Sequence, residues 1–162
     1  MLCLKCNFPL LVIFLVFGWP AQKGEAQSKV PKIVGTWKLN VAKSKFAAGP
    51  PLKSRIQKWD WDGEYLSHNS QTVNADGSRT LAHFTAKFDG QDYPVFANGD
   101  DEKPARYVRL KWIDAYHFEA NLLSKAGEGN RPSEHAVSKD GKILAITQKN
   151  PGGTDVFVYN RQ

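Results

Sequence analysis

From residue 33 onward the chain repeats short runs in which apolar and polar side chains alternate, and each run ends at a turn signal. In residues 33–41, Trp37 and Leu39 share one face while Lys38 and Asn40 share the other. A period of two is typical of strands with one buried face, and no stretch keeps a helical period over three turns. The pattern predicts a short edge segment at residues 92–95 and strands at residues 33–41, 54–61, 64–73, 79–88, 106–113, 117–125, 133–139, 142–149 and 155–161.

The turn signals between these runs are evenly spaced. Asp-Gly pairs occur at residues 62–63, 76–77, 89–90 and 140–141, and breaks recur about every 12 or 13 residues from Asp62 to Pro151. Asp-Gly suits tight hairpins because a type I′ turn needs positive φ at both central residues. The spacing therefore predicts a meander, in which each strand pairs with the next one along the chain.

The prediction is an all-β fold with eight or nine strands in meander order, and such a sheet is most simply stabilised by closing into a barrel. A single up-and-down antiparallel barrel leaves no exposed strand edge, and a barrel of about eight strands can hold one small ligand. A β-sandwich is the competing fold, but its Greek-key links require long connections between sheets, and such connections are scarce here. We therefore expect a closed barrel.

The first 26 residues have the plan of a secretory signal peptide. Lys5 provides a positive start, residues 8–19 form an apolar run of 12 residues, and Ala26 ends a small-x-small cleavage pattern. The run is too short for a transmembrane helix, which needs about 20 apolar residues. We therefore expect a signal peptide at residues 1–26, a barrel domain at residues 27–162, and a destination in the periplasm or outside the cell.

Cleavage at this point changes the chemistry of the mature chain. Cys3 and Cys6, the two cysteines of the sequence, leave with the signal peptide, and the formal net charge falls from +6 to +5. The mature domain then has no disulfide, thiol nucleophile or thiolate metal site. Its stability must come from core packing and hydrogen bonding alone.

Several short motifs resemble those of known barrel proteins. Gly35-Thr36-Trp37 in "VGTWKLN" resembles the G-x-W signature that opens the barrel of lipocalins and intracellular fatty-acid-binding proteins, and "VFVYNRQ" is similar to their closing strand. The ordered set "GTWKLNVAKSKF", "GPPLKS", "AKFDGQDYPV" and "VSKDGK" resembles small exported bacterial lipocalin-like (calycin-type) proteins of unassigned function. The resemblance implies a lipocalin-like barrel.

The resemblance also implies structural roles at the end where the barrel closes. In lipocalins the signature tryptophan packs under the closed end and is often covered by an arginine from near the last strand. Trp37 fits the first role and Arg161 is the candidate for the second. Gly35, two residues before Trp37, would let the backbone bend and let another element come close.

The sequence departs from the fatty-acid-binding pattern in two places. Those proteins hold a ligand carboxylate with an Arg-x-Tyr pair on the closing strand, whereas here Tyr159 is present and Phe157 stands where the arginine should be. They also insert a helical lid after the first strand, where this chain has a short segment broken by Gly49, Pro50 and Pro51. These departures argue against a carboxylate anchor on that strand and predict a portal framed by loops.

The interior of the barrel is expected to be partly polar. Whichever face of the run at residues 64–73 points inward, it brings either Ser67, Asn69 and Gln71 or His68, Ser70 and Thr72. Buried polar groups need partners, so such a row indicates water or a ligand inside. We predict a pocket with an aromatic wall, lined by Trp59, Trp61, Phe84, Phe88, Trp112 and Tyr159. A barrel filled by these same side chains, acting as a structural or interaction module, is the alternative.

No arrangement typical of catalysis or metal binding is visible in the sequence. The histidines fall on different predicted strands without ligand spacing, and we expect half-exposed positions for His68, His83, His117 and His135. No serine lies in a nucleophile-elbow motif, and the acidic run "DWDGE" is explained by a hairpin turn. We therefore predict no enzymatic activity, cofactor or metal.

The basic residues favour a solvated outer face over a specific partner. They are spread over several runs, at Lys43, Lys45, Lys53, Arg55, Lys58, Arg106, Arg109 and Lys111. A patch that binds anionic glycans or lipid headgroups is a further alternative, and an exported protein has little occasion to bind nucleic acid. The favoured reading is a monomeric, exported barrel that binds a small hydrophobic or amphipathic molecule.

Overall fold

The computed structural model describes residues 30–99, 102–124 and 130–162, so the signal peptide predicted at residues 1–26 lies outside the described residues. Within these ranges, ten antiparallel strands close into one barrel in which each strand pairs with its sequence neighbours and β1 pairs with β10. The strands are β1 (Gly35–Leu39), β2 (Ser54–Trp61), β3 (Leu66–Val73), β4 (Arg79–Ala86), β5 (Tyr93–Ala97), β6 (Arg106–Trp112), β7 (His117–Leu123), β8 (Arg131–Val137), β9 (Ile143–Asn150) and β10 (Gly153–Arg161).

The prediction of a single closed antiparallel barrel is confirmed, whereas the predicted count of eight or nine strands is wrong. The segment expected at an edge is the start of β5, which pairs with β4 at Ala82 and His83 and with β6 at three positions. Pro94 has no N–H for the ladder, and the run is short, so the sequence gives this strand a weak signal. Its pairing on both sides means that the barrel has no open edge here.

Alternation decides which side chains enter the barrel. On β6 and β10 the inward faces are the ones that carry Val108, Leu110, Phe157 and Tyr159, which are all buried. Burying one such side chain fully stabilises the fold by about 1.5–3 kcal/mol. On β3 the inward face is the one that carries Leu66, His68, Ser70 and Thr72.

One end of the barrel is closed around Trp37. The indole Nε1 of this fully buried residue donates a hydrogen bond to the Ile33 carbonyl at 2.6 Å. The guanidinium of Arg161 lies 4.3 Å from the centroid of the Trp37 ring and donates to the carbonyls of Val34, Lys32 and Gly141. Arg161 therefore ties the chain before β1 to the β8–β9 turn, in the place that the resemblance implies.

Gly35 makes room for this arginine. Its φ of +134° is one that L side chains rarely adopt, and a Cβ added there would lie 2.5 Å from Arg161 Nη1. Because three carbonyl groups and the Trp37 ring hold the guanidinium, it has little freedom to move aside. Backbone conformation and close approach both explain why glycine stands two residues before Trp37, the largest side chain of the closed end.

We expect Gly35→Val to lower the free energy of unfolding by about 3 kcal/mol, from backbone strain and from displacement of Arg161. Gly63→Val is the matched control, because Gly63 also has a positive φ (+105°) but a Cβ there would meet open space. Denaturant unfolding of both variants separates the two causes. A loss at Gly35 no larger than that at Gly63 would contradict a role for the Arg161 contact.

The connection from β1 to β2 borders the other end of the barrel, which is open. After a single 3₁₀ turn at Val41–Lys43 the segment runs along β10, where Lys45 pairs with Val156. The Asp155 carboxylate accepts hydrogen bonds from the backbone N–H groups of Ala47 and Ala48 at 2.6 and 3.0 Å. This connection contains no helical lid, and a loop borders the opening as predicted.

Candidate ligand-binding site

A cavity of about 670 Å³ lies between the inner faces of the strands and opens at the end bordered by the β1–β2 connection. Gly49, Pro50, Pro151 and Gly152 contribute to its mouth. Small-molecule pockets in proteins usually measure about 300–1,000 Å³. The described barrel is therefore not packed solid, and its cavity is large enough for a ligand.

Aromatic side chains form the inner end of this cavity. Strand register places Trp59 beside His68 and His68 beside Phe84, so these three rings form a row across β2, β3 and β4. The ring centroids of Trp59 and His68 are 4.2 Å apart, and Phe118 packs edge-on against Trp59 at 5.9 Å. With His135, which also contacts Trp59, we call the cavity-lining residues Trp59, His68, Phe84 and His135 the floor.

The wall above the floor is apolar on some strands and polar on others. Its apolar part includes Val108, Ala120 and Ile146, and its polar part includes Ser70 and Ser133. The apolar side chains can hold a hydrocarbon, while the hydroxyl groups can bind water or a polar substituent. The wall therefore suits an amphipathic ligand better than a purely apolar one.

Three guanidinium groups line the cavity closer to its mouth, and we call Arg55, Arg106 and Arg131 the rim arginines. No carboxylate among the described residues pairs with any of them. Burial, and secondly the positive charge of Arg131, lower the pKa of Arg106, which indicates that these two cations lie close together. Arg106 lies on β6 and Arg131 on β8, on either side of β7. In the circular strand order β7 is opposite β2, which carries Arg55.

Asp155 is the acidic residue that lines the cavity within the described ranges, and its oxygens are already used. Besides the two backbone bonds to the β1–β2 connection, its Oδ2 accepts a hydrogen bond from Asn150 Nδ2 at 2.9 Å. The rim therefore presents an excess of positive charge to the cavity. Such a surface attracts anions.

Arg55 is the best positioned of the rim arginines. Its Nε donates to Thr72 Oγ1 at 2.9 Å, its Nη1 lies 3.4 Å from the hydroxyl of Tyr159, and its guanidinium sits 5.2 Å from the centroid of the Phe157 ring. Gln57 Nε2 donates to the same hydroxyl at 3.3 Å. Burial raises the pKa of Tyr159, with Arg55 opposing it, so the phenol stays protonated at neutral pH.

The two floor histidines are buried, which corrects the expectation that all four histidines are half-exposed; His83 and His117 do fit that expectation. The pKa values of His68 and His135 are both lowered to about 3, by burial in each case and for His68 also by the neighbouring His135 and Arg55. Both rings are therefore neutral at pH 7. Their inward position follows from strand alternation, since each shares a face with buried residues of its own strand.

The six residues predicted to line the pocket separate into three groups. Trp59 and Phe84 line the cavity. Trp61, Phe88 and Trp112 point inward but pack together at the closed end, below the floor. The ring centroid of Phe88 lies 6.1 Å from that of Trp61 and 5.0 Å from that of Trp112. Tyr159 is fully buried and is not a lining residue, but its hydroxyl contacts Arg55 and Gln57.

Sequence reasoning missed the charged part of the site. Arg55 and Arg106 were assigned to a solvated outer face, whereas both line the cavity. The signal was available, because Arg55 is four residues before Trp59 and Arg106 is two before Val108, which places each on the inward face of its strand. By contrast, Lys58, Arg109 and Lys111 do face outward and pair with Asp60, Asp92 and Glu119.

The described residues contain no cluster of three or more histidine, cysteine, aspartate or glutamate side chains that could hold a metal ion. The acidic run "DWDGE" forms a turn, in which Asp62 Oδ1 accepts hydrogen bonds from the backbone N–H groups of Glu64 and Tyr65. In the same part of the chain, no helix has the length and apolarity needed to cross a membrane.

Solved structures with this architecture include binding and transport proteins. The barrel is similar to a Schistosoma mansoni fatty acid binding protein in complex with arachidonic acid, with a TM-score of 0.59 and 13% identity over 83% of this chain and 98% of that one. The fluorescent protein UnaG gives a TM-score of 0.58 with 14% identity over 81% of this chain and 98% of its own. A fatty acid transporter, REP1-NXSQ, gives 0.56 with 14% identity over 80% and 95% of the two chains.

These likenesses establish the fold alone, a closed antiparallel barrel, which in the described part of this chain has ten strands. Their sequence identities are too low to establish more than the fold. No protein-family model matches the chain, and no curated protein matches it. The ligand must therefore be inferred from the side chains of the cavity.

Proposed function

We propose that this protein binds a small, amphipathic, anionic molecule in its barrel and acts as a carrier without catalysing a reaction. The observation that carries the proposal is the cavity of about 670 Å³, which has an aromatic floor and three rim arginines without carboxylate partners in the described ranges. The similarity to structures of a fatty acid binding protein and a fatty acid transporter supports the same class of function.

The apolar part of the ligand would lie over the floor and along the apolar wall. Trp59, Phe84, Val108 and Ile146 offer it aromatic and aliphatic surface. Removing apolar surface from water contributes about 25 cal/mol per Å², so a chain of ten or so carbons gains most of its affinity here. The charged group would then remain near the mouth.

Arg55 is the proposed anchor of the anionic group. In fatty-acid-binding proteins the Arg-x-Tyr pair lies on one strand, whereas here Tyr159 comes from β10 and the guanidinium reaches it from β2. Phe157, the residue that replaces the arginine on β10, packs its ring beneath Arg55. A guanidinium and a protonated phenol together supply the donors that a carboxylate requires.

Export is the second part of the proposal and rests on the leader pattern at residues 1–26. A carrier in the periplasm or outside the cell would move a poorly soluble molecule through water. The intact mass of protein recovered outside the cytoplasm checks this part, because cleavage after Ala26 predicts a product that starts at Gln27.

We expect Arg55→Gln to weaken dodecanoate binding about tenfold, since it removes charge-assisted hydrogen bonds. Displacement of the fluorescent probe 1-anilinonaphthalene-8-sulfonate from the purified protein measures this affinity. Lys58→Gln is the matched control, because Lys58 lies on the same strand and faces solvent. Dodecanol, which has the same chain and no charge, should bind both variants as it binds the wild type.

Two results of this titration would count against the proposal. Absence of dodecanoate binding to the wild-type protein would contradict an apolar cavity ligand of this size. Equal loss in Arg55→Gln and Lys58→Gln would mean that general positive charge, and not the rim, attracts the anion.

The alternative of a polyanion-binding surface is less well supported. The outward-facing cations Lys58, Arg109 and Lys111 each have an acidic partner at 3.2 Å or less, so positive and negative charges are interspersed on that face. Exposed pairs of this kind contribute little to stability, but they lower the local positive potential. A strong anionic-surface interaction would need a region of unpaired charge.

A further inference from the structure

We propose that the floor contains a hydrogen-bonding subsite for an uncharged hydroxyl group, so that the preferred ligand is a hydroxylated amphipathic acid. The acceptor of this subsite is Nδ1 of His135, and His68 provides a second group beside it. The inference rests on the proposed function, because it assumes that the anionic end of the ligand stays at the rim.

The first observation is that three of the four ring nitrogens of these histidines have no hydrogen-bond partner within the described part of the chain. They are both nitrogens of His68 and Nδ1 of His135, in side chains that are 9% and 7% exposed and that line the cavity. Buried polar atoms are almost always hydrogen-bonded in folded proteins, because an unpartnered one loses its bonds to water. Unpartnered nitrogens in the side chains of a cavity floor indicate that a bound molecule supplies their hydrogen-bond partners.

The second observation determines the tautomer of His135, that is, which of its ring nitrogens carries the hydrogen. Ser133 Oγ donates its one hydrogen to the Ala120 carbonyl at 3.1 Å, and the same oxygen lies 3.1 Å from Nε2 of His135. With its hydrogen already used, the serine oxygen must accept from Nε2–H. A neutral imidazole carries one N–H, so Nδ1 of His135 has a lone pair and requires a donor from elsewhere.

The neutral ring of His68 adds one hydrogen-bond donor and one acceptor to the subsite. Its ring faces are covered by Trp59 at 4.2 Å and Phe84 at 5.0 Å between centroids, and both of its nitrogens are buried without a partner among the described residues. A hydroxyl group can both donate and accept, and so suits both histidines. A second carboxylate suits them poorly, since it cannot donate to Nδ1 of His135 and would be buried without a positive charge beside it.

The spacing between rim and floor sets the size of the ligand. Arg55 and Trp59 are four residues apart on β2, and Trp59 lies beside His68. At about 3.3 Å per residue the Cα atoms of Arg55 and Trp59 are roughly 13 Å apart along the strand. An extended dodecanoate with its hydroxyl on the terminal carbon spans this distance.

The test compares three ligands that share one chain: dodecanoate, 12-hydroxydodecanoate and 12-methoxydodecanoate. We expect the hydroxylated acid to bind the wild-type protein about tenfold more tightly than dodecanoate, because it gains a hydrogen bond to a buried acceptor. The methyl ether can accept but cannot donate, so it should show no such gain. Isothermal titration calorimetry at pH 7 gives the three affinities.

A pair of variants assigns the preference to the floor. In His135→Phe, which keeps an aromatic ring against Phe118, the affinity ratio of 12-hydroxydodecanoate to dodecanoate should fall to about one. His83→Phe, on the outer face of β4 and stacked on Phe96, should keep the tenfold ratio.

The outcomes separate this inference from the function beneath it. If dodecanoate binds and its hydroxylated form binds no better, the hydroxyl subsite is wrong and the carrier function stands. If neither acid binds, the carrier function fails and the inference fails with it. An equal gain for the ether would also overturn the inference, since it would point to the N–H of His68 instead of the acceptor of His135.

Discussion

Lowering the pH from 7 to 5 should reduce the free energy of unfolding by about 4 kcal/mol, because His68 and His135 are neutral when folded and become protonated on unfolding. Their pKa values fall from 6.5 to about 3 in the barrel. Between these values the unfolded chain binds more protons than the folded one. Stability is therefore greatest above pH 6.5 and declines as the pH drops toward 3.

The size of this effect depends little on how low the folded pKa values are. At pH 5 a histidine with an unfolded pKa of 6.5 is almost fully protonated in the unfolded chain, which is a difference of about 2 kcal/mol for each buried ring. Any folded pKa below about 4 gives the same result. A pH series of urea unfolding curves measures the loss.

The double variant His68→Phe/His135→Phe is the control, and its stability should be nearly constant between pH 7 and 5. Exposed carboxylates complicate the profile only at lower pH: turn hydrogen bonds lower the pKa values of Asp62, Asp76 and Asp140, whose contribution is lost as the pH falls below about 4. A wild-type profile that is flat from pH 7 to 5 would show that the two rings are hydrated in the folded protein.

The barrel could be predicted because its signals are local. Turn residues and alternation identify a strand without any knowledge of its neighbours, and the order of the strands follows from short connections. The strand that was misjudged, β5, contains Pro94 and only five residues, so its local signal was weak. Its pairing with β4 and β6 is a tertiary fact that the sequence does not display.

The lining of the cavity was harder to predict, because alternation gives the face of a side chain and not its height in the barrel. Trp59 and Trp61 share the inward face of β2, yet the first lines the cavity and the second packs at the closed end. Height depends on the stagger of neighbouring strands around the closed barrel, which is set by the whole fold.

Charge was misjudged for a different reason. Lysine and arginine are mostly exposed in proteins, so Arg55 and Arg106 were assigned to the surface in spite of their inward parity. A barrel with an open cavity breaks that rule, since its inner face is partly solvated. An inward arginine in a strand of a ligand-binding barrel is a signal for the ligand's charge.

The central claim is that a ligand occupies the interior of the barrel, and a variant that fills the cavity tests it most directly. Ala82 lines the cavity on β4 between Ser70 and Ala97, so Ala82→Trp would occupy ligand space. Thr85→Trp makes a similar change on the solvent-exposed face of the same strand. Calorimetric titration with dodecanoate should show one site in wild type and Thr85→Trp, and affinity lowered about a hundredfold or more in Ala82→Trp. Unchanged affinity in a folded Ala82→Trp protein would place the ligand outside the barrel and contradict this account.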